Sequence, residues 1–312
     1  MMKRITLTLL ISLMLPGLVF AQAKKTSAGR SDLLVSTDWL AKNASNPKVI
    51  LIYVGRDNKD YVAGHIPNAR FLALTDLVTT RDGKPNEMPP VEKLKTVFAG
   101  LGVNNDSRIV LYSDNYNLFA ARAYFTLDYL GLGDQAALLD GGLDKWKAEK
   151  RQLSTETPEL KTGNFSPRLK PNVLMVRDIV RDVSWATSNL EKPNYALIDA
   201  RPNAEYTGAT PGDGVKRGGH IPGSANVFWM EKNLVSKENP VLRPVTELRK
   251  LYEAAGATKD KTVVSYCRTG VQASHTYFVA KYLGYDVAMY DGSFLEWSNA
   301  ENTSVSTGDK VK

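Results

Sequence analysis

A chain of 312 residues, roughly 290 once an N-terminal signal is removed, has room for two domains of ordinary size. Its 40 lysines and arginines against 33 carboxylates leave a formal charge of +7, lowered by two to +5 without Lys3 and Arg4. That balance suits a mildly basic solvated surface or a small anionic substrate, and no basic tract with interleaved aromatics argues for nucleic acid. One cysteine excludes an internal disulfide, so the fold must rest on its core.

Lys3-Arg4 is followed by an apolar run over residues 5–20 and then by Ala21-Gln22-Ala23. This is the order of a secretory signal, with cleavage expected after Ala21 or Ala23. Residues 1–23 are therefore expected to be a signal peptide, and the protein to be exported to the periplasm. The run is short for a membrane span and is broken by Pro16-Gly17. No later stretch is apolar enough to cross a bilayer, so a soluble mature protein without a membrane span is expected.

Short apolar runs and helical patterns then alternate. In the first half, residues 49–54, 108–112, 120–130 and 136–139 carry this rhythm. Residues 154–171 hold Pro158, Gly163, Pro167 and Pro171 with little apolar content, and read as a linker. In the second half, 195–199, 262–266 and 287–290 read as strands, and 246–255 and 272–283 as helices. The alternation predicts an α/β fold, with a parallel sheet flanked by helices on both faces of each half.

The halves also repeat each other. Tyr61-Val62-Ala63-Gly64-His65-Ile66-Pro67 matches Gly218-Gly219-His220-Ile221-Pro222 together with Tyr206. Tyr124-Phe125 matches Tyr277-Phe278, and each half closes on an Asp-Gly pair and a tryptophan, Asp140 to Trp146 and Asp291 to Trp297. Such a long period means a duplicated domain rather than a solenoid. The expected boundaries are 31–153, the linker at 154–171, and 172–300.

Cys267 ends a β-branched strand and precedes a short loop and a helix, in Val263-Val264-Ser265-Tyr266-Cys267-Arg268-Thr269-Gly270-Val271-Gln272. Loop N–H groups and a helix N-terminus favour an anion there, so the thiol is expected to ionise more readily than a free cysteine. A thiolate in that place is a nucleophile and a site for holding a sulfur anion. Aligning the halves through Tyr124 and Tyr277 puts Asp114 opposite Cys267; aligning them through Tyr61 and Tyr206 puts Val54 opposite Asp199. On this alignment the first half lacks both nucleophile and strand-end carboxylate, and can only shape or cover the second half's site.

The texts Leu197-Ile198-Asp199-Ala200-Arg201, Gly219-His220-Ile221-Pro222-Gly223, Tyr266 to Gln272 and Asp291-Gly292-Ser293-Phe294-Leu295-Glu296-Trp297 together resemble the tandem-domain rhodaneses, thiosulfate sulfurtransferases of the exported bacterial type. The resemblance implies two rhodanese-like domains, the first inactive and the second catalytic. It implies that the Cys267 thiolate takes the sulfane sulfur of thiosulfate or a similar donor, releasing sulfite from thiosulfate. The resulting persulfide lies in the N–H groups of Arg268, Thr269, Gly270, Val271 and Gln272, and passes its sulfur to cyanide or a thiol. Electrostatic preorganisation of this kind stabilises charge without moving. Arg268 is expected to add positive charge and to pair with Asp199 as its strut. Arg201 either helps bind an anionic substrate or sits in a structural pair.

Vertebrate thiosulfate enzymes usually have a lysine where this chain has Thr269 and an arginine where it has Glu205, so positive charge is missing where a sulfonate would sit. Arg268 argues against mercaptopyruvate, whose enzymes usually have glycine there. A cysteine phosphatase is disfavoured because its phosphate-clamping arginine would fall at Ala273 and the loop is one residue short. Two other readings stay open: a persulfide carrier that delivers sulfur to an exported partner protein, and a thiol redox sensor. His65 and His220 occupy the same turn in both halves and are expected to be structural. His275 is either a base near the thiol or a packing residue. No metal-ligand spacing appears and no cofactor is expected.

Overall fold

The structure, a computed structural model, describes residues 29–309, so the expected signal peptide at 1–23 lies outside it. Two five-stranded sheets form, each wholly parallel. The first runs in the order Leu34–Val35, Ala136–Leu139, Arg108–Tyr112, Val49–Gly55 and Arg70–Ala73. The second runs in the order Ser224–Asn226, Tyr195–Asp199, Thr262–Tyr266, Asp286–Tyr290 and Leu174–Met175. The central strands are apolar and β-branched because parallel strands are buried on both faces.

Alternation along each strand divides its side chains between two layers. Ile50 and Ile52 face one layer, Leu51 and Tyr53 the other; in the second sheet Ile198 and Leu197 divide likewise. One core cluster runs through both halves, from Leu33 to Met289. Separate clusters lie on the outer faces, under Trp146 in the first half and Trp297 in the second. Helices therefore cover both faces of each sheet.

The helices Leu118–Tyr129 and Val271–Tyr282 join the halves. They pack as a near-symmetric pair, with Tyr124 against Phe278 at 4.9 Å and Phe125 against Tyr277 at 5.0 Å, both edge to face. Both helices are buried nearly all round, which explains why neither shows a clean polar stripe.

Residues 154–170 contain no helix or strand, but they are fastened to the first half as a strap. Ser154 bridges His65, Asn164 and Ser166 donate to the Asn104 and Asn105 side chains, and Phe165 packs edge to face on Phe98. At the other end of the described chain Ser306 bridges His220 in the same way. Both histidines stack on a tyrosine ring at 3.8 Å, His65 on Tyr61 and His220 on Tyr206, in turns that are equivalent in the two halves.

Candidate functional site around Cys267

The strand Thr262–Tyr266 delivers Cys267 to the C-terminal edge of the second sheet, and the helix Val271–Tyr282 starts at once with Gly270 as its N-cap. Parallel α/β sheets bind ligands at this edge. Gly270 has φ +88°, and a Cβ there would meet Asp291 Oδ1 at 2.6 Å. Only glycine fits that turn. Its N–H points at the Cys267 sulfur at 3.1 Å, and those of Thr269 and Ala273 reach the sulfur as well. The donors to the sulfur are thus Thr269 and Gly270 of the expected run from Arg268 to Gln272, together with Ala273 one position beyond it.

Ser293 fixes the cysteine from below: its hydroxyl accepts from the Cys267 N–H at 3.2 Å and donates to the Tyr290 carbonyl at 2.8 Å. Ser293 holds φ +54°, a left-handed conformation that costs a non-glycine residue about 1–2 kcal/mol. The equivalent Gly142 holds φ +56° without that cost. A strained serine stands where glycine serves in the other half, and its hydroxyl holds the Cys267 N–H, a contact that the sequence reading missed.

Cys267 is 1 % exposed. Burial pushes its thiol above the ordinary value, the N–H groups of Ala273, Thr269 and Gly270 pull it down by less, and the Asp199 charge pushes it up further. The expectation of an easily ionised thiol is therefore corrected. Loop dipoles alone suggest a thiolate, but the thiol sits in a core from which water is excluded, and desolvation is the larger effect.

The expected pair of Arg268 with Asp199 does not form. Asp199 takes Arg201 instead, with Arg201 Nε at 3.0 Å from Oδ1 and Nη2 at 2.6 Å from Oδ2, and Arg201 Nη2 also donates to the Gly219 carbonyl at 2.7 Å. Arg201 is fully buried and lies 4.0 Å from the Phe294 ring centroid. Burial opposes its charge, but Asp199 outweighs burial and holds its pKa above the ordinary value. Of the two roles left open for Arg201, the structure shows the structural pair. Arg268 turns outward to Glu205 at 3.5 Å and Asp213 at 3.6 Å. Val271 and Gln272 form the first turn of the helix, half-buried.

The first half covers this site. The Lys84–Glu87 strand of a small hairpin ends beside the loop, where Asn86 Nδ2 donates to Thr269 Oγ1 at 2.9 Å. The Met88 N–H donates to Asp291 Oδ2 at 2.6 Å. Arg122, fully buried in the helix Leu118–Tyr129, reaches Asp291 Oδ1 at 2.5 Å and the Asn86 carbonyl at 2.9 Å. A Cβ on Gly270 would stand 3.2 Å from Arg122 Nη1, so the arginine lies directly behind the loop. Arg122 and Asn86 were not found from the sequence, although a lone arginine within Leu118-Phe119-Ala120-Ala121-Arg122-Ala123-Tyr124-Phe125 was a signal.

The first half places Ser113, not Asp114, at the nucleophile position. The Ile66 N–H donates to the Tyr112 hydroxyl at 3.0 Å just as that of Ile221 donates to Tyr266 at 3.1 Å. One residue on, the Leu143 N–H meets the Ser113 carbonyl at 3.1 Å as that of Phe294 meets Cys267 at 2.9 Å. The Ala120 N–H even points at Ser113 Oγ, at 3.4 Å. Strand register likewise puts Tyr53 opposite Tyr112, where Asp199 stands opposite Tyr266, so Tyr53 and not Val54 matches Asp199. The first half carries one extra residue in each connection, and counting back across it displaces the alignment by one.

His275 is buried against Trp229 at 5.0 Å, with Asn233 Nδ2 donating to its Nδ1 at 3.3 Å, and burial pushes its pKa down to about 3. It is a neutral packing residue. No group of metal-ligating side chains forms among the described residues, and no helix among them is long and apolar enough to cross a membrane.

Comparisons with known proteins agree with this geometry. The rhodanese-like domain family matches twice, over residues 36–149 and 182–300. The sulfur carrier protein TtuD of Thermus thermophilus is 35 % identical over 295 residues, covering 89 % of this chain and 98 % of that protein. The thiosulfate sulfurtransferase of Corynebacterium glutamicum is 32 % identical over 290 residues, covering 89 % and 92 %. The anaerobic ergothioneine biosynthesis enzyme from Chlorobium limicola shares the fold at a TM-score of 0.77 and 22 % identity, covering 89 % of this chain and 70 % of that one. With a rhodanese-like domain in each half and a thiol on the sheet edge of the second alone, the chain belongs to the rhodanese family as a tandem-domain member.

Proposed function

We propose that the protein is a sulfurtransferase that holds sulfane sulfur as a persulfide on Cys267. A single observation carries this reading: the thiol lies at a strand end with three backbone N–H groups converging on its sulfur. The thiolate attacks the outer sulfur of thiosulfate or a similar donor, the S–S bond breaks, and sulfite leaves with the bonding pair. The terminal sulfur then carries the negative charge, and fixed N–H dipoles stabilise it without reorganising. A thiol or cyanide attacks that sulfur and restores the Cys267 thiolate. Thr269, Gly270, Val271 and Gln272 line the site, while Arg268 and Glu205 stand at its mouth.

The 35 % identity to a protein named as a sulfur carrier favours a second reading, in which the acceptor is a partner protein rather than a small molecule. The same persulfide serves both, and the two differ in multiple turnover with small acceptors. The N-terminal pattern Lys3-Arg4, apolar run, Ala21-Gln22-Ala23 further supports export to the periplasm. Cell fractionation with sequencing of the mature N-terminus tests it, and an uncleaved chain in the cytoplasm would overturn it.

Intact-protein mass spectrometry after thiosulfate, and again after cyanide, tests the central proposal. The expected result is a gain of one sulfur atom that cyanide removes and that Cys267→Ala does not acquire. Sulfur loading in folded Cys267→Ala would overturn the mechanism. Loading without repeated turnover on cyanide or small thiols would favour the carrier.

A further inference from the structure

Tyr61 and His65 are four positions apart in the first half, whereas Tyr206 and His220 are fourteen apart in the second. The additional stretch exists only in the half that bears the thiol, and it leans on the residue next to that thiol. A Cβ on Gly212 would meet Arg268 Cδ at 2.7 Å and Glu205 Oε2 at 2.9 Å. The stretch is anchored: Arg217 donates to the Ser298 carbonyl at 2.8 Å and the Ala300 carbonyl at 2.7 Å, and the Lys216 N–H donates to Asn299 Oδ1 at 3.1 Å. It therefore holds Asp213 and the Glu205–Arg268 pair in fixed relation.

The charges at this mouth can be counted. Arg201 pairs with Asp199 at 2.6 Å and also lies 4.0 Å from Glu205, and Arg268 lies 3.5 Å from Glu205 and 3.6 Å from Asp213. Two cations face three carboxylates in this connected cluster, so the group around Arg268, the neighbour of Cys267, carries one net negative charge. Glu205 Oε2 is buried without a hydrogen-bond partner, its nearest cation being Arg201 Nη1 at 4.0 Å. Asp213 is fully exposed, so water screens its pairing with Arg268 at 3.6 Å.

We propose that Glu205, Asp213 and the stretch bracing them against Arg268 set donor selectivity, disfavouring small dianions such as thiosulfate and favouring alkyl persulfides with an ammonium group near the sulfur. This inference rests on the reading that Cys267 receives sulfane sulfur. With such a donor, the Cys267 thiolate attacks the outer sulfur of R–S–SH. That sulfur and its hydrogen pass to Cys267, and R–S leaves with the bonding pair as a thiolate that takes a proton from water. The donor's ammonium meets the excess carboxylate charge as the sulfurs align. A dianion approaching the same mouth is repelled by that charge and finds Arg268 already engaged.

Alkylation of Cys267 by three reagents of different charge reads this potential without any sulfur donor. Bromoethylamine is the cation, iodoacetamide the neutral reagent and iodoacetate the anion, each rate being divided by the rate with 2-mercaptoethanol. The unmodified protein is expected to favour bromoethylamine over iodoacetate. Glu205→Gln should raise the iodoacetate-to-iodoacetamide ratio roughly fivefold, the effect of one nearby charge at a half-buried position. Asp213→Asn, which cannot disturb the fold from so exposed a position, should raise it about twofold because solvent screens it. An unchanged ratio in both variants, or a native preference for iodoacetate, would overturn the proposal. Failure of every donor to load Cys267 would instead remove the sulfurtransferase function and leave these ratios untouched.

Discussion

Cys267 combines two opposed influences that sequence order cannot weigh. Loop dipoles and a helix N-terminus are visible as strand, thiol, glycine and helix, and they favour a thiolate. Burial is not visible, because it depends on what the first half lays over the loop, and it raises the thiol pKa. The alkylation rate with neutral iodoacetamide should therefore keep rising with pH beyond the ordinary thiol range near 8.5. A plateau already reached at about pH 7 would mean that the N–H groups outweigh burial. The partner of Asp199 was obscured in a related way. Arg201 is two positions away and folds its guanidinium back onto the carboxylate, whereas Arg268 points outward to Glu205. Residue types at a strand end were enough to nominate these side chains but not to say which way each one turns.

The central strands at 195–199, 262–266, 108–112 and 136–139 emerged from apolar runs alone, since doubly buried parallel strands leave such a record. The edge strands Leu34–Val35, Leu174–Met175 and Ser224–Asn226 did not, because two or three residues are too few for any periodicity. The hairpin strands Thr79–Arg81 and Lys84–Glu87 are polar and were also silent, yet they bring Asn86 to Thr269. The helix Leu118–Tyr129 contributes Arg122, which closes the same contact from the other side. Arg122→Ala would strand the Asp291 carboxylate in a buried setting, at a cost of roughly 3 kcal/mol. Arg122→Lys keeps the charge and loses the fork, and should lose less. Thermal unfolding together with sulfur loading of Cys267 checks both, and an Arg122→Ala protein as stable and as fast as the native one would remove the strut.

The two halves meet across a near-twofold pair of helices, but the pairing has one asymmetric centre. Asp128, fully buried, accepts from the Tyr277 hydroxyl at 2.6 Å and from Lys281 and Lys170 at 2.9 Å each. Burial works against its charge, yet Lys281, Tyr277 and Lys170 together hold its carboxyl below the usual range. A depressed folded pKa adds stability that is present above the unfolded value of about 3.9 and lost as pH falls through the folded one. Asp128→Asn should thus lower stability at neutral pH by roughly 2 kcal/mol and flatten the loss below about pH 4. Equal acid sensitivity in the two proteins, followed by thermal unfolding across pH, would place the acid-labile centre elsewhere.

Duplication, the α/β class and the single thiol with its loop were all legible in the amino-acid order, because each is a local pattern or a repeat of one. The site's outer shell was not. Asn86 and Thr269 are 183 positions apart, and Arg122 and Asp291 are 169 apart, so their contacts exist only once both sheets have formed and the two long helices have packed. The one-residue slip that hid Ser113 opposite Cys267 has the same origin: an extra loop residue changes the count along the chain but leaves the strand register and its hydrogen bonds in place.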